Sequence, residues 1–521
     1  MKVCIILTII SFSILFTGYT IWKKYEEKQN VHILTDNEII NTIVDNFLQV
    51  AKVPRPSHHE EKISQFLMDY AKSQGLNPLR DNYNNVMYEI PATKGMEDIQ
   101  LGILQGHMDM VVAVAHDKNF NPLNDSITVI RDDVSGTLTA NGTSLGADDG
   151  IGLAIIMAVT QGKIPHGQLR IIITVDEEDG MEGAFHVSSS WLEGASFLIN
   201  IDNEWSNQIL VSTAASDSIN VNKNIEYKNA SGNKAIQVEI SNLKGGHSGV
   251  EIDKGRLNGI IGLAKFLKDL NKQGIDYELS SFEGGTASNA IPTGAKTILV
   301  INSNEKDKIK QKMDDYCATL NETYKKIENE IICTATEINT IPKIVSSTQK
   351  NNLINFLTEV IDGVYTMSDD MEGLVESSSN LGIVKMTPLY ESLEIIINIR
   401  SSSAEKEIEI INHQIKAALT YGFTNEDINK IHMADAWPFD PDNKLVELAK
   451  TIYKKQNNQE VEVVAVHAGV ECGTFKQLNK ELDMISIGPD IKDAHTISET
   501  LYLNSIPRVW HLLEGILQAY S

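Results

Sequence analysis

The sequence predicts an α/β fold in which a mixed sheet covered by helices is interrupted by a large α+β insertion made of two similar units. Two observations indicate this fold. Apolar strand-like runs alternate with helical periodicity over the first 215 residues, and this pattern changes after about Ser216 and returns near Trp437. The length of 521 residues leaves room for roughly two to four domains.

The first part of the main domain alternates helices and strands. A helix is expected over residues 39–50, and Ser57 can cap a second helix that runs to Ser73, with Gly75 at its end. The apolar strands that follow are separated by helices, which is typical of a sheet covered on both faces. The predicted strands are residues 85–90, 101–104, 169–175 and 197–201, with a helix at residues 150–160.

The insertion contains two successive rounds of strands and helices. Its predicted strands are residues 235–240, 296–301, 330–337, 373–377 and 393–399, and its predicted helices are residues 257–270, 307–328, 351–361 and 404–420. Residues 437–441 indicate a linker, after which a helix, a strand and a closing helix resume the main domain. The predicted organisation is a hydrophobic segment at residues 1–30, the main domain at 31–215 and 437–521, and an inserted lid at 216–436.

The N-terminus contains an apolar run without a charge, residues 3–22. About 20 such residues can span a bilayer as a helix, and Trp22, Lys23 and Lys24 would then lie at the interface. No small-x-small cleavage site is evident, so we expect one retained helix that anchors the chain to a membrane, or a secreted protein if the segment is a cleaved signal. Lysines flank the run on both sides, which leaves the side of the membrane open.

Charge and cysteine content exclude some kinds of site. The chain has 70 acidic and 45 basic residues and a formal net charge of −25, which disfavours nucleic acid as a partner. This balance is compatible with cation binding, although most of the carboxylates are expected to form a solvated surface. The four cysteines show no CxxC spacing, so neither a disulfide framework nor a cysteine zinc site is predicted.

Five short polar stretches end predicted strands or lie close to one, where open α/β sheets place their sites. In the first, residues 106–109, alternate residues share a face of the extended chain, so His107 can bind a metal while Asp109 fixes its ring. The second, residues 145–150, places Asp148 before a helix. That carboxylate could cap the helix or bridge two cations.

The third stretch, residues 176–180, has four acids in a row. Because adjacent residues project differently, Glu178 could bind metal while Glu177 addresses a water. The last two stretches contain Asp202 and His495. Together the five stretches supply two histidines and three carboxylates, a set that suits zinc, manganese or cobalt; the spacing of an EF-hand calcium loop is absent.

Several ordered motifs resemble those of the two-zinc metallopeptidases, and within them the aminoacyl-histidine (Xaa-His or cytosolic non-specific) dipeptidases. The resemblance extends from about Asn37 to the C-terminus. The motifs are Val53-Pro54-Arg55-Pro56-Ser57, Gly106-His107-Met108-Asp109-Met110-Val111, the run from Gly142 to Gly152, Gly245-Gly246-His247-Ser248-Gly249, and His467-Ala468-Gly469-Val470-Glu471-Cys472-Gly473.

The resemblance implies a zinc-peptidase catalytic domain and two divalent metal ions per chain, zinc with manganese or cobalt as alternatives. One ion would be held by His107 and Asp202, and the other by Glu178 and His495. Asp148 would bridge them.

The resemblance also implies roles for residues that do not bind metal. Glu177 would be the general base, and Asp109 would orient the histidine beside it. In the lid, His247, Asn289 and Arg400 are similar to residues that hold the substrate. Loop hydrogen bonds for the first two and a surface salt bridge for Arg400 are the structural alternatives.

The implied activity is metal-dependent hydrolysis of dipeptides, aminoacyl-histidine or broader Xaa-Xaa, by a metal-activated water with a glutamate base. The alternatives are an acyl-amino-acid deacylase of the same superfamily and an inactive, membrane-tethered peptide-binding protein. The intact ligand set argues against the inactive protein. The expected partner is a small peptide, the chain is a monomer or homodimer, and the family further implies a cis peptide bond between Asp148 and Asp149.

Overall fold

The computed structural model describes residues 34–520, which form two compact units. The first unit comprises the chain up to Leu210, together with Asp442–Val463 and the residues from Leu478 onward. The second comprises Val211–Pro441 and Val464–Gln477. The predicted domain boundaries, with a lid over residues 216–436, stay a prediction.

An eight-stranded mixed sheet organises the first unit. Its centre is parallel: Gly102–His107 lies between Leu169–Thr174 and Phe197–Asn200, and all three strands are largely or fully buried. In spatial order the strands are Leu79–Arg80, Val86–Ile90, Leu169–Thr174, Gly102–His107, Phe197–Asn200, Asp483–Ser486, Gln208–Thr213 and Glu462–Val466. The predicted α/β class with a mixed sheet is therefore confirmed.

Amphipathic helices supply the other part of the first unit's core. Asp36–Val50 begins with a capping box between Thr35 and Glu38 and buries Ile43 and Phe47 completely. Ala147–Thr160 is buried along nearly its whole length and packs on strand Gly102–His107. The other helices of this unit are Glu61–Ser73, Glu182–His186, Lys444–Asn457 and Ile506–Ala519.

A small antiparallel sheet in the first unit has four strands. Their spatial order is Ile491–Lys492, Thr500–Tyr502, Thr137–Ala140 and Val129–Asp132. This sheet joins two parts of the chain that are far apart in sequence, and both parts lead to predicted metal ligands.

A nine-stranded antiparallel sheet organises the second unit. Its strands are, in spatial order, Ile332–Ile338, Lys234–Ser241, Ala295–Ile301, Glu278–Gly284, Val375–Thr387, Ser392–Ser401, Ala215–Asn224 and Ile428–Ala434, with Gly363–Met367 also paired to Val375–Thr387. The helices Gly259–Lys272, Lys306–Tyr324, Ser347–Glu359 and Ala404–Thr420 share one apolar core with this sheet. A two-stranded pair, Gly246–His247 with Ala290–Ile291, and the short helix Cys472–Leu478 complete the elements.

Cys317 and Cys333 form a disulfide between helix Lys306–Tyr324 and strand Ile332–Ile338. The expectation of no disulfide is wrong for this pair. The helix and the strand bring the two Cα atoms to 5.7 Å, within the range that a disulfide bridges, and no CxxC-type spacing signals such a pair.

The expected membrane segment, residues 1–30, lies outside the described residues. Among residues 34–520, none of the helices combines the length and the apolar character needed to cross a bilayer.

Candidate metal centre and substrate residues

His107 is the last residue of strand Gly102–His107, and its side chain is 1 % exposed. Its Nδ1 atom lies 3.2 Å from Asp109 Oδ1. Its Nε2 atom lies 3.1 Å from Asp148 Oδ1 and 3.3 Å from Asp202 Oδ1. Because Asp202 follows the neighbouring parallel strand, the sheet itself brings these side chains to the same edge.

His495 forms a second group around the same aspartate. Its Nε2 atom lies 3.0 Å from Asp148 Oδ2 and 2.8 Å from Glu178 Oε2. The two oxygens of Asp148 therefore face different histidines. His107, Asp148 and Asp202 form one group whose ligand atoms lie within 4.8 Å of one another, and Asp148, Glu178 and His495 form another.

The backbone turns at Asp148 and Asp149, which have non-helical dihedrals at the start of helix Ala147–Thr160. The Asp148–Asp149 peptide bond is cis, as the resemblance implies. The Asp149 side chain is 1 % exposed, and its oxygens accept hydrogen bonds from the N–H groups of His107 at 3.2 Å and Gly152 at 3.1 Å.

Asp109 is fully buried and joins several parts of the centre. Besides its contact with His107, it accepts a hydrogen bond from Ser57 Oγ at 2.8 Å and from the N–H groups of Glu177 at 3.1 Å and Glu178 at 3.2 Å. A single carboxylate thus contacts a predicted ligand, the predicted base and the backbone of a second ligand.

The two histidines lie among more negative than positive groups. Burial lowers the pKa of His107, but Asp202, Asp109 and Asp148 together raise it well above its ordinary value. Hydrogen bonds to Asp148 and Glu178 raise the pKa of His495 to about 11.

Two carboxylates of the centre, Asp202 and Glu178, are short of positive charge, whereas the pKa values of Asp109 and Asp148 are lowered. Burial raises the pKa of Asp202 to about 7 and also raises that of Glu178. Glu178 Oε1 is buried and has no hydrogen-bond partner in the described chain. An orphaned carboxylate oxygen among imidazoles and acids fits a divalent cation, since buried charges are paired or coordinate metals.

The predicted substrate residues lie in the second unit. His247 and Ala290 are partners in the two-stranded pair, so Asn289 lies beside that pairing, and its carbonyl oxygen accepts from Ser248 N at 2.8 Å. His247 Nδ1 accepts hydrogen bonds from the N–H groups of Gly249 at 3.1 Å and Val250 at 3.3 Å. The ring proton of neutral His247 therefore resides on Nε2.

Arg400 lies on strand Ser392–Ser401 and is 8 % exposed. No carboxylate of residues 34–520 forms an ion pair with it, its Nε atom has no hydrogen-bond partner there, and burial lowers its pKa to about 10. The Nε2 atom of His467 lies 2.7 Å from Ser378 Oγ. Burial, together with the positive charge of nearby Arg400, lowers the pKa of His467 to about 3.

Sequence reasoning missed two buried charged residues that hold the centre. Arg55 donates to the carbonyl oxygens of Met108 at 3.0 Å and Asp109 at 2.6 Å. Glu499 accepts hydrogen bonds from the segment around Asp148, more than 350 residues earlier in the chain. Arg55 belongs to a motif that carries the resemblance, but no local pattern points to Glu499.

Comparison with known proteins gives relatives over nearly the whole chain. The chain is 31 % identical over 477 residues to the cytosol non-specific dipeptidase of Escherichia coli (strain K12), covering 91 % of this chain and 96 % of that protein. The structure of aminoacylhistidine dipeptidase from Vibrio alginolyticus matches with a TM-score of 0.84 and 30 % identity, over 92 % of this chain and 96 % of that one. Aminopeptidase PepT from Bacillus cereus, at 17 % identity and a TM-score of 0.53 over 92 % of this chain and 98 % of its own, shares the fold alone.

The Escherichia coli relative contradicts the expected location at a membrane. Its name places that protein in the cytosol, and its similarity covers 91 % of this chain. The expectation of an anchored or secreted protein is wrong by this finding. It rested on residues 1–30 alone, where length and hydropathy are compatible with a span but do not establish one.

The family model for peptidase family M20/M25/M40 matches residues 103–519, which include all five predicted ligands and Glu177. This match confirms the resemblance read from the motifs. The chain belongs to peptidase family M20/M25/M40.

Proposed function

We propose that the chain is a metal-dependent dipeptidase that acts on aminoacyl-histidine or other Xaa-Xaa dipeptides. The position of Asp148 carries the proposal, because its two oxygens lie 3.1 Å and 3.0 Å from the Nε2 atoms of His107 and His495. A carboxylate that faces two separate ligand groups suits a pair of ions. The names of the two relatives that are 31 % and 30 % identical to the chain support the same reaction.

The ligand set suggests which ions the chain holds. One divalent ion would be held by His107 and Asp202, and a second by Glu178 and His495, with Asp148 shared between them. Mixed imidazole and carboxylate ligands favour zinc, with manganese and cobalt as alternatives. When bound, such ions lower the pKa of a water and polarise the carbonyl group of the peptide bond.

Glu177 is the proposed general base. A carboxylate oxygen of Glu177 lies within 4.8 Å of a ring nitrogen of His107 and a carboxylate oxygen of Glu178, so the Glu177 carboxylate lies beside the ligand groups. The hydrogen bond from the Glu177 backbone N–H to Asp109 fixes the backbone from which the Glu177 side chain projects. In this position Glu177 takes a proton from the attacking water and gives it to the leaving amine.

His247 is proposed to donate a hydrogen bond to the substrate. Burial, with a smaller contribution from Arg400, lowers the pKa of His247, so the ring is neutral at pH 7. Since Nδ1 accepts two backbone N–H groups and no residue of 34–520 accepts from Nε2, the Nε2–H group is available to donate. A neutral donor fixed in this way is suited to the oxygen that becomes negative during hydrolysis.

Arg400 and Asn289 are proposed to bind the substrate's C-terminal carboxylate. A guanidinium that is 8 % exposed and has no carboxylate partner in the described chain favours an anion, and its planar fork matches a carboxylate. The cavity of about 930 Å³ in the second unit is lined by His247 and Asn289. A requirement for a free carboxylate near the scissile bond would favour dipeptides over proteins.

The direct test is hydrolysis by the purified chain after metal removal and re-addition of zinc, manganese or cobalt. We expect turnover of Xaa-His and other dipeptides, much lower rates with longer peptides, and none without metal. Glu177→Gln is the variant expected to lose most of its turnover, and Glu182→Gln is its matched control, because the Glu182 side chain is 58 % exposed. Turnover of N-acyl amino acids but not dipeptides would replace the proposal with the deacylase.

A further inference from the structure

The segment from Leu145 to Asp148, called the bridge segment below, is held by the carboxylate of Glu499. Glu499 is 2 % exposed. Its Oε2 atom accepts hydrogen bonds from the N–H groups of Leu145 at 2.7 Å and Gly146 at 2.8 Å. Its Oε1 atom accepts from those of Ala147 at 2.7 Å and Asp148 at 3.3 Å. Four consecutive backbone donors therefore converge on one side chain.

A buried guanidinium holds the opposite side of the bridge segment. Arg55 donates to the carbonyl oxygen of Gly146, whose N–H group is bound by Glu499. Gly146 has a φ of +68°, and a Cβ atom there would lie 2.6 Å from Met110 Sδ and 2.8 Å from Arg55 Nη2. The segment is thus fixed on both sides, with no room for a side chain at its second residue.

The same contacts connect the bridge segment to the loop of His495. That loop runs between strands Ile491–Lys492 and Thr500–Tyr502, which pair with each other, and Glu499 is its last residue. Thr500–Tyr502 also pairs with Thr137–Ala140, the strand that leads into the bridge segment. Two loops that carry predicted ligands are therefore tied by a small sheet and by one carboxylate.

We propose that Glu499 is a positioning residue that fixes Asp148 relative to His495, so that the shared carboxylate is aligned before metal binds. The inference rests on the proposed function, since it assumes that Asp148 bridges two ions. Both carboxylate oxygens of Glu499 are hydrogen-bonded to backbone N–H groups rather than to a proposed ligand side chain. Glu499 acts only through the backbone of the bridge segment and through its own place in the His495 loop.

A carboxylate is suited to this role because both of its oxygens accept hydrogen bonds. The amide of glutamine has one acceptor oxygen and one NH₂ group. In Glu499→Gln the NH₂ group would face two of the four N–H donors, whichever way the amide is turned. The shape of the side chain is kept while half of its contacts become repulsive.

The experiment compares metal affinity in the full chain with Glu499→Gln and with a control, using competition between the metal-free protein and a coloured chelator for Co²⁺ and Zn²⁺. The control is Glu328→Gln. Glu328 is a glutamate of the second unit that is 7 % exposed and accepts from the N–H groups of Lys244 at 2.7 Å and Leu257 at 2.9 Å.

We expect Glu499→Gln to weaken metal binding by about tenfold or more, as outer partners of metal sites typically do, and Glu328→Gln to leave it unchanged. Both variants should lower the thermal midpoint of the metal-free chain, so metal affinity separates positioning from stability. Two ions bound by Glu499→Gln with wild-type affinity would overturn the inference. Fewer than two ions bound by the wild type would instead overturn the proposed function.

Hydrogen exchange of the wild type decides the question if Glu499→Gln fails to fold. The inference requires the amides of residues 145–148 to be protected in the metal-free chain, because Glu499 rather than metal holds them. Protection that appears only after metal is added would overturn it.

Discussion

Replacing Asp109 by asparagine should weaken metal binding through Glu178, although Asp109 contacts the ring of a different ligand. The Oδ1 atom of Asp109 accepts from the Glu177 N–H group at 3.1 Å and lies 3.2 Å from His107 Nδ1. The Oδ2 atom accepts from Ser57 Oγ at 2.8 Å and from the Glu178 N–H group at 3.2 Å. The two backbone N–H groups and the ring N–H of His107 can only donate, whereas the hydroxyl of Ser57 can rotate and either donate or accept.

The size of the loss in metal affinity follows from the one hydrogen bond that Asp109→Asn cannot replace, the one from the N–H group of Glu178. The asparagine oxygen should occupy the Oδ1 position, which has two fixed donors, so the NH₂ group faces Ser57 and the N–H group of Glu178. Ser57 can turn to accept, whereas Glu178 loses its partner. A hydrogen bond to a charged group contributes about 1.5–3 kcal/mol, and about 1.4 kcal/mol is a factor of ten. Affinity at the Glu178 site should therefore fall roughly 10- to 100-fold.

The assay is competition with a coloured chelator, with Ser57→Ala as the matched control. That variant removes one hydrogen bond to Asp109 without placing a donor against the N–H group of Glu178, so metal affinity should fall less than in Asp109→Asn. In Asp109→Asn, metal affinity should fall more at the proposed site of Glu178 than at the proposed site of His107. Wild-type affinity at both sites would refute the reasoning, and an equal loss in Ser57→Ala would show that the reversed polarity has no effect.

Three further outcomes are expected. Glu177→Gln should keep two ions but lose roughly 10²–10⁴-fold in turnover, the contribution of a general base; loss of metal would reverse the roles of Glu177 and Glu178. Arg400→Gln should reduce kcat/KM for dipeptides by roughly 30-fold or more, since truncating one partner of a buried charge pair costs about 2 kcal/mol or more, while metal content stays unchanged; an unaltered kcat/KM would contradict the assignment. Hydrogen bonds to Asp217 and Asp435 raise the pKa of His432 to about 10. The stability that charged His432 contributes is fully present below its pKa in the unfolded chain, about 6.5, and is lost as pH rises through its pKa of about 10 in the folded chain. His432→Gln should therefore lower Tm more at pH 6 than at pH 11. Equal decreases in Tm at the two pH values would disprove this.

The sheet of the first unit could be predicted because its central strands are apolar and short. Residues 169–175 were expected as a strand, and the structure has Leu169–Thr174. The edge where parallel strands end follows from that pattern, and it brings His107 and Asp202 together. Here local hydropathy and tertiary position agree.

Polar strands of the second unit could not be predicted in the same way. In strand Ala215–Asn224, the first residue is followed by Ser216, Asp217 and Ser218, all of which are buried. A strand was expected at residues 373–377, but Val375–Thr387 continues ten residues further, through Ser378 and Ser379, which are polar but buried in the sheet. Hydropathy does not distinguish a polar residue that is satisfied inside a sheet from one in solvent.

The proposed ligands could be predicted because His107 and Asp148 lie in motifs that carry the resemblance, and Glu178, Asp202 and His495 lie in short polar stretches near strand ends. The residues that support them could not be predicted in this way. Glu499 is 354 residues from Leu145 in sequence, yet its carboxylate lies 2.7 Å from that backbone N–H group. A contact across such a separation depends on the folded sheet and leaves no local signal. The disulfide between Cys317 and Cys333 spans only 16 residues, but it too depends on how a helix packs on a strand.

One carboxylate, that of Asp148, is proposed to serve both metal ions that hydrolysis requires. The decisive measurement is a titration of metal-free wild type, Asp148→Ala and His495→Ala with zinc or cobalt, in which bound metal and hydrolysis of an Xaa-His dipeptide are measured together. We predict two ions per chain and activity that rises with them in the wild type, one remaining ion in His495→Ala, and loss of tight binding at both sites in Asp148→Ala. Full activity in the metal-free wild type, or two tightly bound ions in Asp148→Ala, would contradict the claim.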